Sequence, residues 1–199
     1  MNYTELKRNV EDICENTFTE DQHAMFTEQA EQKIYNSVDL PVLRKNVTGS
    51  LTASIQYLST PTDYQSTYSL AVLADGQYTY LLHKDVNFIR EAFPNPNDRG
   101  VPKYYSMFDV DSIILGPTPD DSYTMELHYK YYPESIVTAG TTWLGSEFDT
   151  ALLNGVLIEA IRFLKGEPDV VAAYEKLYAQ AIALLEVQSA RIVSDTYRK

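Results

Sequence analysis

Three histidines, one cysteine and two close pairs of aspartates are the residues of this 199-residue chain whose types invite chemistry. A zinc site needs His or Cys ligands at short helical or loop spacings, yet His23, His83 and His128 have no second ligand three to five residues away. The sequence places His23 on the exposed side of a helix, His83 at a strand end and His128 on the wet face of a sheet. Asp109 with Asp111 and Asp120 with Asp121 have the spacing of calcium ligands. Neither pair continues into a loop with a central Gly and a downstream bidentate Glu. Both read instead as turn residues, where Asp caps its own backbone. Cys14 has no His partner and reads as a small residue on a helix face. With no Gly-rich phosphate loop and no nucleophile elbow, the sequence predicts no catalytic residue, cofactor or metal, and no enzyme.

Tyrosine is the residue type left to explain, at 16 copies, more than one core of this size needs. A ring with a polar tip suits protein interfaces and sugar platforms. Tyr104 and Tyr105, with Tyr129, Tyr131 and Tyr132, are expected to cluster on adjacent strands. Neighbouring residues of a strand point to opposite faces, so one of each adjacent pair must leave the core side. Tyr104, Tyr105, Tyr131 and Tyr132 are therefore the candidates for a subunit contact.

Charge narrows the partners. A formal net charge of −12 leaves no clustered Lys and Arg to neutralise phosphates, which argues against nucleic-acid binding. One cysteine excludes an internal disulfide framework and fits a reducing compartment. No secretory leader and no apolar run approaching 18 residues is read, so a soluble cytosolic product without a membrane partner is expected.

The elements that must position the tyrosines follow from periodicity. Thr4 is read as the cap of a first helix with Tyr3, Leu6, Val10 and Ile13 at helical spacing. Thr19-Glu-Asp-Gln22 has the capping-box pattern and opens a second helix to about Ser37, with Phe26, Ala30, Ile34 and Val38 on one side. From Val42 the pattern alternates. Leu51 to Tyr57 reads as a strand, Asp75-Gly76 as a hairpin turn between Tyr68–Leu73 and Tyr78–Leu82, and Asp85 as the cap of a short helix to Phe93. Gly100 to Pro133 reads as three antiparallel strands joined by turns at Phe108–Asp111 and Pro117–Ser122. In the last strand Tyr123, Met125, Leu127, Tyr129 and Tyr131 alternate strictly with Thr124, Glu126, His128 and Lys130, giving one dry and one wet face. A third helix is expected from Glu147 to Lys165, with Gly166 as its left-handed cap. Pro168 then opens a last helix that runs nearly to Tyr197.

The expected fold is α+β: a four-helix body of two N-terminal and two C-terminal helices, an inserted antiparallel β-rich lobe, and a long C-terminal helical arm. By residue the body is 1–40 with 143–188, the insert 41–142 and the arm 189–199. Thirty helical residues span about 45 Å, roughly a whole compact domain, so the last helix should overhang its own body.

The succession Gly100-Val-Pro-Lys-Tyr-Tyr, Ile113-Ile-Leu-Gly-Pro-Thr-Pro and Tyr129-Lys-Tyr-Tyr-Pro133, then Thr142-Trp-Leu144 and a helical end, resembles the head-to-tail adaptor (connector) proteins of tailed bacteriophages. The resemblance covers nearly the whole chain in element order. It implies a structural virion protein of the neck, assembled in the host cytoplasm as a ring of this chain, expected at twelve copies, below the portal protein and above a tail nozzle or tail fibre protein. It also implies that Arg191, Ile192, Asp195, Tyr197, Arg198 and Lys199 reach the portal. Two other classes remain open from the residues: a carbohydrate-binding β module using Tyr platforms, and a hydrolase using dispersed carboxylates.

Overall fold

The computed structural model describes residues 1–38 and 40–196, without the side chains of 41 and 189–196. It is α+β, with seven α-helices and two four-stranded sheets among the described residues. The chain divides into two compact units, one of residues 1–42 with 133–199 and one of residues 43–132. The second boundary lies at Tyr132/Pro133, ten residues before the one read from the sequence, because residues 133–142 bond to helices and not to strands.

In the helical unit α1 (Tyr3–Cys14) starts at Asn2, not Thr4. The Asn2 side chain accepts from the Glu5 N–H while Glu5 reaches back to the Asn2 N–H. The reciprocal bonds satisfy two donors the first turn would leave open. α2 (Glu20–Ser37) opens on the expected Thr19/Gln22 box. Two short helices, α4 (Ile136–Ala139) and α5 (Trp143–Glu147), precede α6 (Asp149–Phe163). The single helix expected from Glu147 is thus interrupted at Phe148, whose backbone leaves the helical region.

α6 is the centre of the unit and packs against α1, α2, α5 and α7 (Pro168–Thr196). Its Leu152, Val156, Leu157 and Ala160 are buried on several sides. A Cβ on Gly155 would meet Ala30 at 3.1 Å and the Tyr178 ring at 3.3 Å, so that glycine lets α2 and α7 approach together. One buried carboxylate joins two elements here: Glu31 of α2 accepts the Ile136 N–H at 3.0 Å and a bond from the Ser135 side chain.

The second unit is a sandwich. One sheet has the order β1 (Arg44–Ser50), β8 (Thr124–Tyr131), β3 (Tyr64–Ala74), β4 (Gln77–Tyr80), all antiparallel. The other has the order β2 (Tyr57–Ser59), β7 (Ser112–Gly116), β6 (Tyr104–Met107), β5 (Leu82–His83), with β5 and β6 parallel. Leu70, Val72, Met125, Leu127 and Tyr129 from the first sheet meet Leu58, Tyr105, Ile113 and Leu115 from the second. Burial of each such side chain contributes about 1.5–3 kcal/mol. The short helix α3 (Val86–Ala92), capped by Asp85, lays Ile89 and Phe93 on Gly116, where a Cβ would meet them at 2.9 and 3.0 Å.

Two strand readings are corrected. The run from Gly100 to Pro133 is not one three-stranded sheet, because β6 and β7 pair with each other while β8 lies in the middle of the other sheet. Alternation fixes the faces of β8 but carries no information on its partners. Leu51 to Gln56 is not a strand either. Ser54 takes the left-handed region (φ 67°) and donates its N–H to the Pro119 carbonyl, and Ile55 turns back to Thr52. The segment carries the chain from β1 in one sheet to β2 in the other.

Candidate functional site

Most of the groups that invite chemistry are held in structural contacts. His23 is 3 % exposed, not on the outer side of α2, since it shares the stripe of Phe26 and Ala30. Its Nε2 lies 3.1 Å from Glu11 Oε1, and that hydrogen bond, with one from the Phe18 N–H, holds the Glu11 carboxyl below its usual range. His83 meets the edge of the Tyr105 ring, and His128 packs against Tyr68. Asp109 Oδ1 accepts from the Asp111 N–H at 2.9 Å, and Asp121 Oδ1 from the Ser122 N–H at 2.7 Å. Asp120 accepts the Tyr123 hydroxyl at 2.6 Å, a bond that pushes that phenol up to about 12. Burial pushes the Cys14 thiol up. Among the described residues no group of three or more His, Cys, Asp or Glu is placed to hold a metal ion.

The tyrosine candidates separate. Tyr105 is buried in the sandwich, while Tyr104 on the other face of β6 is covered by Phe88 and Phe93. Tyr131 is half-buried under the Lys45 ammonium, 4.0 Å from its ring centre, and the Tyr132 N–H donates to the Asp63 carbonyl. The two pairs stand in different sheets, so they do not form the patch expected from adjacent strands. Tyr129 sends its hydroxyl to Asp63 Oδ1 at 2.8 Å, and Lys45 reaches Asp63 Oδ2 at 2.6 Å. Burial and the Asp63 bond push the Tyr129 phenol up to about 12.

An apolar surface that no described residue covers lies on α7. The helix is entered through a tight stop: Lys165 takes the left-handed region (φ 57°), and Gly166 donates to the Ile161 carbonyl at 2.9 Å. The left-handed residue is therefore Lys165, just after the Leu164 cap and one residue before the glycine expected to take that conformation. Gly166 is needed for space, since a Cβ there would lie 2.5 Å from Ile161. Pro168 then fills the first helical position, where its missing N–H costs nothing. Ala181 and Leu185 turn inward, with Tyr174 and Tyr178 half-buried on the same side. The Arg162 guanidinium clamps the helix to α6 by donating to Glu175 at 2.6 Å.

A second apolar row faces solvent. Val170, Leu177, Leu184 and Val187 are 41, 47, 68 and 50 % exposed. They recur at intervals of seven, seven and three residues, the repeat by which one helix offers a seam to another helix. From Leu177 to Gln188 the only charged residue is Glu186. Beside the row, Phe148, Ala151 and Asn154 of the α5–α6 corner and Leu177, Ala181 and Leu184 line a groove of about 480 Å³. A run so poor in charge on the outside of a helix is uncommon on a surface that meets only water.

In the β unit, Tyr78 and Tyr80 on edge strand β4 are 49 and 63 % exposed, and Tyr57 meets Phe108 at a ring distance of 5.0 Å. Sequence reasoning passed over Tyr78 and Tyr80 as hairpin flanks. Their alternation after Asp75-Gly76 was visible, but their place on an edge was not.

The chain thus exposes an apolar row on α7 and tyrosine rings on β4. Its sequence matches the SU10 adaptor protein family over residues 1–198. The chain belongs to the SU10 adaptor family. It is a structural adaptor of a bacteriophage virion, and membership implies oligomerisation and contact with other head or tail proteins. No curated protein matches the sequence. Among the described residues no helix is long and apolar enough to cross a membrane. Of the residues expected to meet a portal, Arg191, Ile192 and Asp195 lie on the backbone of α7 with side chains outside the described set, and Tyr197, Arg198 and Lys199 lie outside the described residues.

Proposed function

We propose that this adaptor forms a homo-oligomeric ring, of twelve copies, in the neck of the particle, between the portal protein and a tail nozzle or tail fibre protein. The helical body, the β-rich unit and the C-terminal arm are assigned separate tasks: ring contacts, a docking face for the tail, and a hold on the portal. The observation that carries the reading is the solvent-facing apolar row of α7, which leads directly into the arm. At 29 residues the helix is about 43 Å long. A free monomer gains nothing by exposing Leu177, Leu184 and Val187, whereas a partner helix seated on them removes roughly half of each side chain from water, about 1 kcal/mol apiece. Arg191, Ile192, Asp195, Tyr197, Arg198 and Lys199 are the residues that would hold the portal in this reading. Tyr104, Tyr131 and Tyr132 remain candidates for the tail or subunit contact, and Tyr105 would serve only by supporting them from beneath. The test is deletion of residues 191–199: DNA-filled heads should no longer retain the adaptor. Full retention would remove the arm from the mechanism.

A further inference from the structure

The β1-β8-β3-β4 sheet is antiparallel throughout and has an even number of strands, so its edges β1 and β4 run in opposite directions. A second copy set alongside by rotation about an axis parallel to the strands therefore presents its β1 antiparallel to the first copy's β4. No reorientation is needed.

The free backbone groups of the two edges also fall level. Leu81 donates its N–H to the Leu70 carbonyl at 2.8 Å, and bonded and non-bonded pairs alternate along an antiparallel ladder. Counting back along β4, Tyr78 and Tyr80 direct their N–H and C=O away from β3. On the other edge Leu51 donates to the Tyr123 carbonyl at 2.8 Å, and the same count turns Ser50 and Thr48 outward. Across the sheet Tyr78 is level with Leu73, Thr124 and Ser50, and Tyr80 with Ala71, Glu126 and Thr48. Rotation without sliding thus sets Tyr78 against Ser50 and Tyr80 against Thr48 of the neighbour, each as a bonded pair.

Side chains agree with the backbone. Tyr78 and Tyr80 lie on the sheet face that also carries Ser50 and Thr48, and both rings are largely exposed. The opposing run Thr48-Gly49-Ser50 is small and leaves room for them. Edge strands of free-standing proteins carry Lys, Pro or a bulge against such pairing. β4, Gln-Tyr-Thr-Tyr, has no Lys or Pro, and its ladder to β3 runs without a register shift.

We propose that β4 of one copy pairs with residues 48–50 of β1 in the next, joining neighbouring adaptors through one continuous antiparallel sheet. This rests on the ring reading, because a head-to-tail ring requires two different patches to meet at every step, and it adds a contact through the β-rich unit to those assigned to the helical body. The competing use of the same edge, β4 against β4 about a two-fold axis, would press tyrosine on tyrosine and stop at a dimer.

The experiment uses full-length Thr48→Cys and Tyr80→Cys, each in a Cys14→Ala background, oxidised separately and mixed in the assembled oligomer, free or in purified particles. A bonded antiparallel pair holds its Cα atoms about 5.5 Å apart, within disulfide reach. The expected result is a disulfide dimer from the mixture only, and a ladder of multimers from the double variant. A dimer from Tyr80→Cys alone overturns the proposal in favour of the two-fold edge. An oligomer with no mixed cross-link overturns it and leaves the ring reading standing, whereas absence of any oligomer in solution and in particles overturns both. As a check that needs no cysteine, Tyr80→Lys should weaken self-association at least tenfold with an unchanged melting temperature. Unchanged self-association would refute the pairing.

Discussion

Leu184 and Leu185 are neighbours in sequence with opposite surroundings, and the pair tests whether α7 has one structural and one functional face. Leu185 is fully buried and Leu184 is 68 % exposed. Leu185→Ala removes buried methyl groups and leaves a cavity between α7 and α6, at a cost of about 2–5 kcal/mol. In a chain of this length that lowers the melting temperature by roughly 4–20 °C. Leu184→Ala gives up only the third of the side chain that is covered, so its cost stays under about 1 kcal/mol. Urea unfolding of the two purified variants should show this separation. Retention by DNA-filled heads should rank them the other way, with Leu184→Glu failing to attach while it melts like the parent, because a carboxylate desolvated in an apolar seam has no partner. Equal destabilisation by the two alanines would refute the two-faced reading of the helix. A Leu184→Glu adaptor retained in full would show that the outer row touches nothing in the particle.

Two buried polar arrangements give sharper tests of the fold. Burial raises the Glu31 carboxyl above its ordinary value of 4.5, and the bonds from Ser135 and the Ile136 N–H draw it back only in part. A folded pKa above the unfolded one means stability that is full below about pH 4.5 and lost as pH rises through the raised value. Glu31→Gln should therefore lose less stability than the parent as pH rises from about 4.5 through the raised value in urea titrations, and parallel pH profiles would contradict this. Tyr129→Phe removes the hydroxyl that donates to Asp63 at 2.8 Å, while Lys45 still holds that carboxylate. A loss of about 1–2 kcal/mol is expected by chemical denaturation, and one below about 0.5 kcal/mol would show that water replaces the bond.

What could be read from the sequence was local. The Thr19/Gln22 box, the Asp75-Gly76 turn, the Asp85 cap and Pro168 each act through bonds made within a few residues, and each stands where its spacing put it. Long-range pairing was not legible. Tyr123 to Tyr131 shows its two faces plainly, but whether Leu127 pairs with Val47 and Leu70 or with a residue of β7 depends on where the chain crosses between sheets. That crossing is decided by a Ser54 N–H reaching Pro119, 65 positions away. His23 shares the phase of Phe26 and Ala30, so its burial was legible in the helical spacing although its residue type points to the surface.

The contact surfaces were the least legible feature, and for one physical reason. An apolar residue that faces a core and one that faces a partner are the same residue under the same helical or strand period. Val170, Tyr174, Leu177, Ala181 and Leu184 read as a single stripe until α6 is in place. Then Ala181 is covered, Leu177 and Leu184 are not, and α7 proves to carry two stripes. β4 behaves likewise, since Tyr78 and Tyr80 would be ordinary mid-sheet residues if a further strand of this chain lay beside them. In both places an element is completed on one side by its own chain and left open on the other. For a protein whose family works by assembly, those open sides are where the missing free energy of burial is to be recovered, from a neighbour instead of from the fold.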